Sequence, residues 1–116
     1  MRGAIIALAA TIFIVGTILI GLSIPLVQGR VSPNSIYGFR TSKTLADPST
    51  WYAANRFSGK VSIVVGAVMM LLAALLLLLA RYTGLGPATL TALGLAFEIV
   101  PPLILALVLF LYHRNL

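Results

Sequence analysis

Between Lys60 and Arg81 the chain reads VSIVVGAVMMLLAALLLLLA, residues 61–80, with Ser62 its only polar side chain. Twenty residues of α-helix rise about 30 Å, the thickness of the hydrocarbon core of a bilayer. A helix that is apolar on every side has no solvated face, so it belongs in lipid. This stretch defines the chain as a membrane protein.

The same reading extends outward in both directions. Downstream, Arg81-Tyr82-Thr83-Gly84-Leu85-Gly86-Pro87 is short and rich in helix stoppers. Gly84 is expected at C′ of the span before it and Pro87 at the first turn of the span after it. So short a link makes the flanking helices antiparallel neighbours. The span that follows runs from about Ala88 to Tyr112, anchored by Tyr112, His113 and Arg114. Upstream, no charge occurs between Arg2 and Arg30, and residues 3–27 are long enough to cross with some tilt. The run exceeds a usual signal-peptide core and no small-residue cleavage site follows it. Pro25 suits a helix ending at the interface.

The fold class is therefore all-α: one domain over residues 1–116, three transmembrane helices, and a short interfacial helix in the first loop. Composition agrees. Sixty per cent of the 116 residues are hydrophobic and 9% are charged, against roughly 25% charged in soluble domains. A chain this small could not hide that apolar surface in a soluble core.

The charge balance, eight Lys and Arg against two acids, reads as topology rather than nucleic-acid binding. The basic residues form no helical stripe and accompany no recognition motif. Arg30, Arg40, Lys43, Arg56 and Lys60 lie in loop 28–60, and Arg114 in the tail on the same side; only Arg2 and Arg81 lie opposite. The positive-inside rule then places the loop and C-terminus in the cytoplasm and the N-terminus outside an inner (plasma) membrane.

Enzymatic chemistry finds little to work with. There is no cysteine, one histidine and two widely separated acids, which cannot assemble a thiolate site, a multi-histidine metal centre or a carboxylate pair. No Gly-rich phosphate loop, Gly-x-Ser-x-Gly or His-Glu-x-x-His occurs. Neither a metal, a cofactor nor catalysis is expected. Glu98 is the one charge inside a span, beside Pro101 and Pro102. Those prolines cannot donate to the carbonyls of Phe97 and Glu98, so an acid sits next to two freed oxygens. Glu98 reads as a packing residue or as a proton or cation site, and the stripe Thr91, Gly94, Glu98 is expected to face the other helices.

Loop 28–60 is the part that is not generic. Ser32-Pro33-Asn34-Ser35 forms a turn, with Asn34 able to adopt αL. Gly38 lies between the aromatics of Ile36-Tyr37-Gly38-Phe39-Arg40-Thr41. Asp47-Pro48 starts a helix running towards Gly59 and into the second span. On it Tyr52, Asn55, Arg56 and Gly59 share a face. Trp51, Tyr52 and Phe57 suit the headgroup layer, where the arginines would bind lipid phosphates.

The wording of this loop resembles the SdpI family of bacterial membrane proteins. The likeness covers Pro33 to Lys60 closely: Pro33-Asn34, Tyr37-Gly38-Phe39-Arg40-Thr41, Thr44-Leu45, Trp51, Ala54-Asn55-Arg56 and Gly59-Lys60. The resemblance implies a small membrane protein acting by binding. The family's namesake is an immunity protein against a secreted toxic peptide, and it also signals by holding a repressor at the membrane. It carries further membrane helices ahead of the matching region, and none is read in these 116 residues. The binding residues expected from this likeness are Asn34, Tyr37, Gly38, Arg40, Thr41, Trp51, Asn55 and Arg56. The partners expected are membrane lipids and a peptide toxin or cytoplasmic regulator. The alternative is a homo-oligomeric proton- or ion-coupled transporter or channel built around Glu98.

Overall fold

The computed structural model describes residues 2–116. Four helices follow one another: α1 (Arg2–Val27), α2 (Ser42–Leu45), α3 (Pro48–Tyr82) and α4 (Pro87–Arg114). α1, α3 and α4 are each long and apolar enough to cross a membrane. Together they make a bundle 54 × 24 × 19 Å in extent.

α3 spans the full length of that bundle. Its 35 residues rise about 52 Å, far more than a bilayer core requires. The helix begins as the sequence indicates, with Pro48 in the first turn and Asp47 as N-cap, and passes without a break into the apolar block 61–80. The segment Pro48–Lys60 is thus an extension of the second span rather than a separate helix, and the loop folds against it. The separate short helix is α2. It is closed by a capping box in which Thr41 Oγ1 accepts from Thr44 N–H at 3.2 Å and Thr44 Oγ1 accepts from Thr41 N–H at 2.8 Å.

The core lies along α1 and α3. Ile5, Ala9 and Ile12 of α1 meet Val65, Met69, Ala73 and Leu76 of α3, and Leu90 of α4 closes one end. These positions recur at three- and four-residue steps, the spacing of a packed helix face. Where the two helices cross, Gly16 and Gly66 face each other: a Cβ on Gly16 would stand 2.6 Å from the Gly66 carbonyl oxygen. No larger residue permits that approach, and close backbone contact is how helices associate in lipid. α4 is held more loosely, burying Leu90, Gly94 and Pro101. Large apolar side chains on the outer faces, among them Ile14, Leu71, Leu78, Ile104 and Phe110, are exposed, as lipid-facing residues should be.

Two helix ends differ from expectation. Gly84 is not in a left-handed conformation; α3 stops at Thr83, which is extended and whose N–H still reaches Leu79 O at 3.2 Å. The glycine that terminates a helix is Gly29, with φ +69°. Arg30 N–H donates to Pro25 O and Gly29 N–H to Leu26 O, the paired bonds of a Schellman motif. That turn starts the loop. On α4, Thr91 is exposed rather than packed; the inward stripe is Leu90, Gly94 and Pro101, with Glu98 half-buried beside it.

Candidate functional site

Two asparagines organise the loop. Asn34 satisfies a turn with its whole amide: Oδ1 accepts from Ile36 N–H at 2.9 Å and Tyr37 N–H at 2.7 Å, while Nδ2 donates to Ser32 O and Tyr37 O. It works through its side chain; no non-glycine residue among those described has positive φ. Asn55, buried on α3, grips the next segment. Its Oδ1 accepts from Phe39 N–H at 2.6 Å, and its Nδ2 donates to Trp51 O at 2.9 Å and Phe39 O at 3.4 Å.

Trp51 is the core around which the loop wraps. It is fully buried, and its indole N–H donates to Val31 O at 2.8 Å. The ring is therefore enclosed by protein rather than open to lipid headgroups: one turn before Asn55 on the same helix face, it is covered by the loop that Asn55 holds. Gly38 crosses directly above it with φ +116°, where a Cβ would stand 2.7 Å from Asn55 Oδ1 and 3.1 Å from Trp51 Cη2. The glycine between two aromatics is therefore required twice, for conformation and for space. Tyr37 turns its hydroxyl inward, where it is buried with no hydrogen-bond partner, and burial raises its pKa.

The C-terminal end of α4 completes the assembly. His113 Nε2 lies 2.9 Å from Thr41 Oγ1, Lys43 Nζ donates to His113 O at 3.3 Å, and the Phe39 ring stacks towards His113 at 6.1 Å. Phe57 stacks on Tyr112 at 4.3 Å. The loop and the C-terminus thus share one end of the bundle. Below Phe39 and Arg40 a shallow groove of about 450 Å³ descends between the helices, lined by Leu26, Ser58, Ser62 and Leu109 as well as the loop.

The basic residues of the loop are all exposed. An Arg40 guanidinium nitrogen donates to Ser35 O, and Arg56 lies against Gly29 at the end of α1, where a cation also meets the carbonyl end of the helix dipole. The two guanidinium groups therefore rest on different partners. Asp47 is committed to its cap, its carboxylate accepting from Ser49 N–H and Ser49 Oγ–H. Glu98 lies fifteen residues from His113, about 22 Å along the helix, beyond an arginine's reach. Neither Arg40 nor Arg56, at the loop end, reaches Glu98 over that distance. α4 continues unbroken through Pro101 and Pro102, so Glu98 and the freed carbonyls stay in mid-span, apart from the loop.

Seen from the sequence, the loop residues Asn34, Tyr37, Gly38, Arg40, Thr41, Trp51, Asn55 and Arg56 converge on one end of the bundle, while Glu98, Pro101 and Pro102 form a separate locale. The reading missed Val31, Thr44, Ser58, Ser62 and the role of His113. Only the Thr41-x-x-Thr44 spacing of a capping box carried a local signal.

Fold and loop together define a small polytopic helical membrane protein with a folded cap at one end. The chain matches the SdpI/YfhL protein family over residues 30–112 and belongs to it. Among curated proteins it is 38% identical over 52 residues to an uncharacterized protein of Bacillus subtilis (strain 168), YfhL. That match covers 45% of this chain and 46% of the relative, so under half the relative's length. No solved structure matches.

Proposed function

We propose that this SdpI-type protein acts by binding, through the folded loop and the groove beneath it, in peptide-toxin immunity or membrane-linked signalling. The observation that carries the reading is the grip of Asn55 on Phe39. A lipid tether needs basic and aromatic residues in any order, whereas here one buried amide holds a specific backbone segment over a groove. The groove combines apolar side chains, Leu26, Phe39 and Leu109, with polar ones, Arg40, Thr41, Ser58 and Ser62. That mixed lining suits an amphipathic peptide lying at the interface, with an acidic group directed at Arg40. The loop faces the cytoplasm on this reading, by the charge asymmetry of the sequence.

The test is survival of a sensitive host expressing the protein when challenged with the secreted toxic peptide that the family's namesake neutralises. Protection is expected, and loss of protection with Arg40→Lys or Asn55→Ala but not with Lys43→Arg, all at equal membrane abundance. Lysine lacks the planar fork but keeps the charge. Equal behaviour of the three variants contradicts a loop-borne binding site.

A second reading, an oligomeric proton- or ion-coupled transporter, is supported by the half-buried Glu98 beside the carbonyls of Phe97 and Glu98, to which Pro101 and Pro102 cannot donate. It predicts proton-dependent flux in liposomes that Glu98→Gln abolishes while the protein stays folded. Flux that survives the substitution, or none at all, rejects it.

A further inference from the structure

At the end of the bundle away from the loop, a cavity of about 400 Å³ opens between the start of α1, the end of α3 and the start of α4. Its walls are apolar, with Ile5, Leu77, Ala80 and Leu90 among them, and Arg2 and Arg81 stand at its edge. That volume and lining are ordinary for a ligand cleft. The charge is not answered by the chain. Asp47 caps α3 at the opposite end, and Glu98 lies eleven residues beyond Pro87, about 16 Å along α4. Arg81 is steadied over the Tyr82 ring, 5.6 Å from its centroid. α4 also begins here at Gly86 without a side-chain cap, so its first N–H groups add positive potential on the same side.

An apolar floor beneath two guanidinium groups is complementary to a molecule with a hydrocarbon chain and an anionic head. We propose that this cavity is a binding site for an acidic phospholipid, its acyl chain against Ile5, Leu77 and Leu90 and its phosphate between Arg2 and Arg81. Neither arginine belongs to the loop, so the site is independent of the peptide-binding reading above.

Native mass spectrometry of the full-length detergent-solubilised protein tests this, with phosphatidylglycerol against phosphatidylcholine of identical acyl chains. The wild type is expected to prefer phosphatidylglycerol by about thirtyfold, the attraction of two basic side chains for an anionic headgroup. Arg2→Gln with Arg81→Gln should remove the preference, while Arg30→Gln with Lys60→Gln, at the loop end, should keep it. Ala80→Phe fills the floor and should weaken phosphatidylglycerol binding with both arginines intact. The proposal is overturned if the Arg2/Arg81 variant keeps the preference or the loop pair loses it equally. It is overturned too if Ala80→Phe binds like the wild type, or if inorganic phosphate displaces the lipid at equal concentration.

Discussion

Asn55 holds Phe39 by both of its backbone groups, accepting from the N–H at 2.6 Å and donating to the carbonyl at 3.4 Å, across sixteen residues of sequence. Asn55→Ala leaves Phe39 N–H and the Trp51 carbonyl without their side-chain partner. The expected loss is about 2–3 kcal/mol, since a buried hydrogen bond is broken and its partners remain desolvated. Trp51 is the only tryptophan, so its emission reports on the loop alone. Thermal melts should show a lowered midpoint, with emission shifted to the red in the variant.

Gly38 and Gly29 both have positive φ, yet they should respond differently to alanine. A Cβ on Gly38 meets the amide and ring that form the loop's core, whereas on Gly29 it meets the mobile end of Arg56 at 2.9 Å. Gly38→Ala should cost about 2 kcal/mol or more from backbone strain and overlap. Gly29→Ala should cost about 1 kcal/mol, the ordinary αL penalty. Equal losses in thermal denaturation would contradict the packing of Gly38 over Trp51.

Tyr37 supplies a pH signature. Burial raises its pKa above the ordinary 10.0, so the unfolded chain ionises first as the solution becomes alkaline. The stability linked to this group is complete below pH 10 and falls as pH rises through the folded value. Tyr37→Phe should remove that alkaline increment. At neutral pH it should leave stability unchanged or raise it by up to about 1 kcal/mol, because the hydroxyl has no partner to lose. Denaturation of both proteins between neutral and strongly alkaline pH measures the difference.

The first two spans were legible because charge is absent from them: Arg2 and Arg30, then Lys60 and Arg81, bracket runs that only lipid accommodates. Asp47-Pro48 was legible too, since an N-cap and a first-turn proline act within a few residues. What was not legible depends on contacts distant in sequence. Trp51 carries the features of an interfacial aromatic, and only the descent of residues 31–39 onto α3 buries it. His113 meets Thr41 across 72 positions, a relation no local pattern encodes. Thr91 was misplaced because helical stripes drawn from one helix do not reveal how little of α4 is covered.

The sidedness proposed from the charge count is open to a clean test, because there is no native cysteine. Ser35 and Ser49 are exposed at the loop end and Thr83 at the other. Cysteine at either serine should be protected from impermeant thiol reagents in intact cells, and cysteine at Thr83 should react. The reverse pattern would place the loop outside.

The central claim, that residues 30–47 form a preorganised structure on α3 rather than a tether, is tested most directly by hydrogen exchange in lipid nanodiscs at Phe39 N–H and the Trp51 indole N–H. Both should be strongly protected in the wild type, and Asn55→Ala should release Phe39. Exchange at the rate of an unstructured peptide at both sites in the wild type would contradict the account.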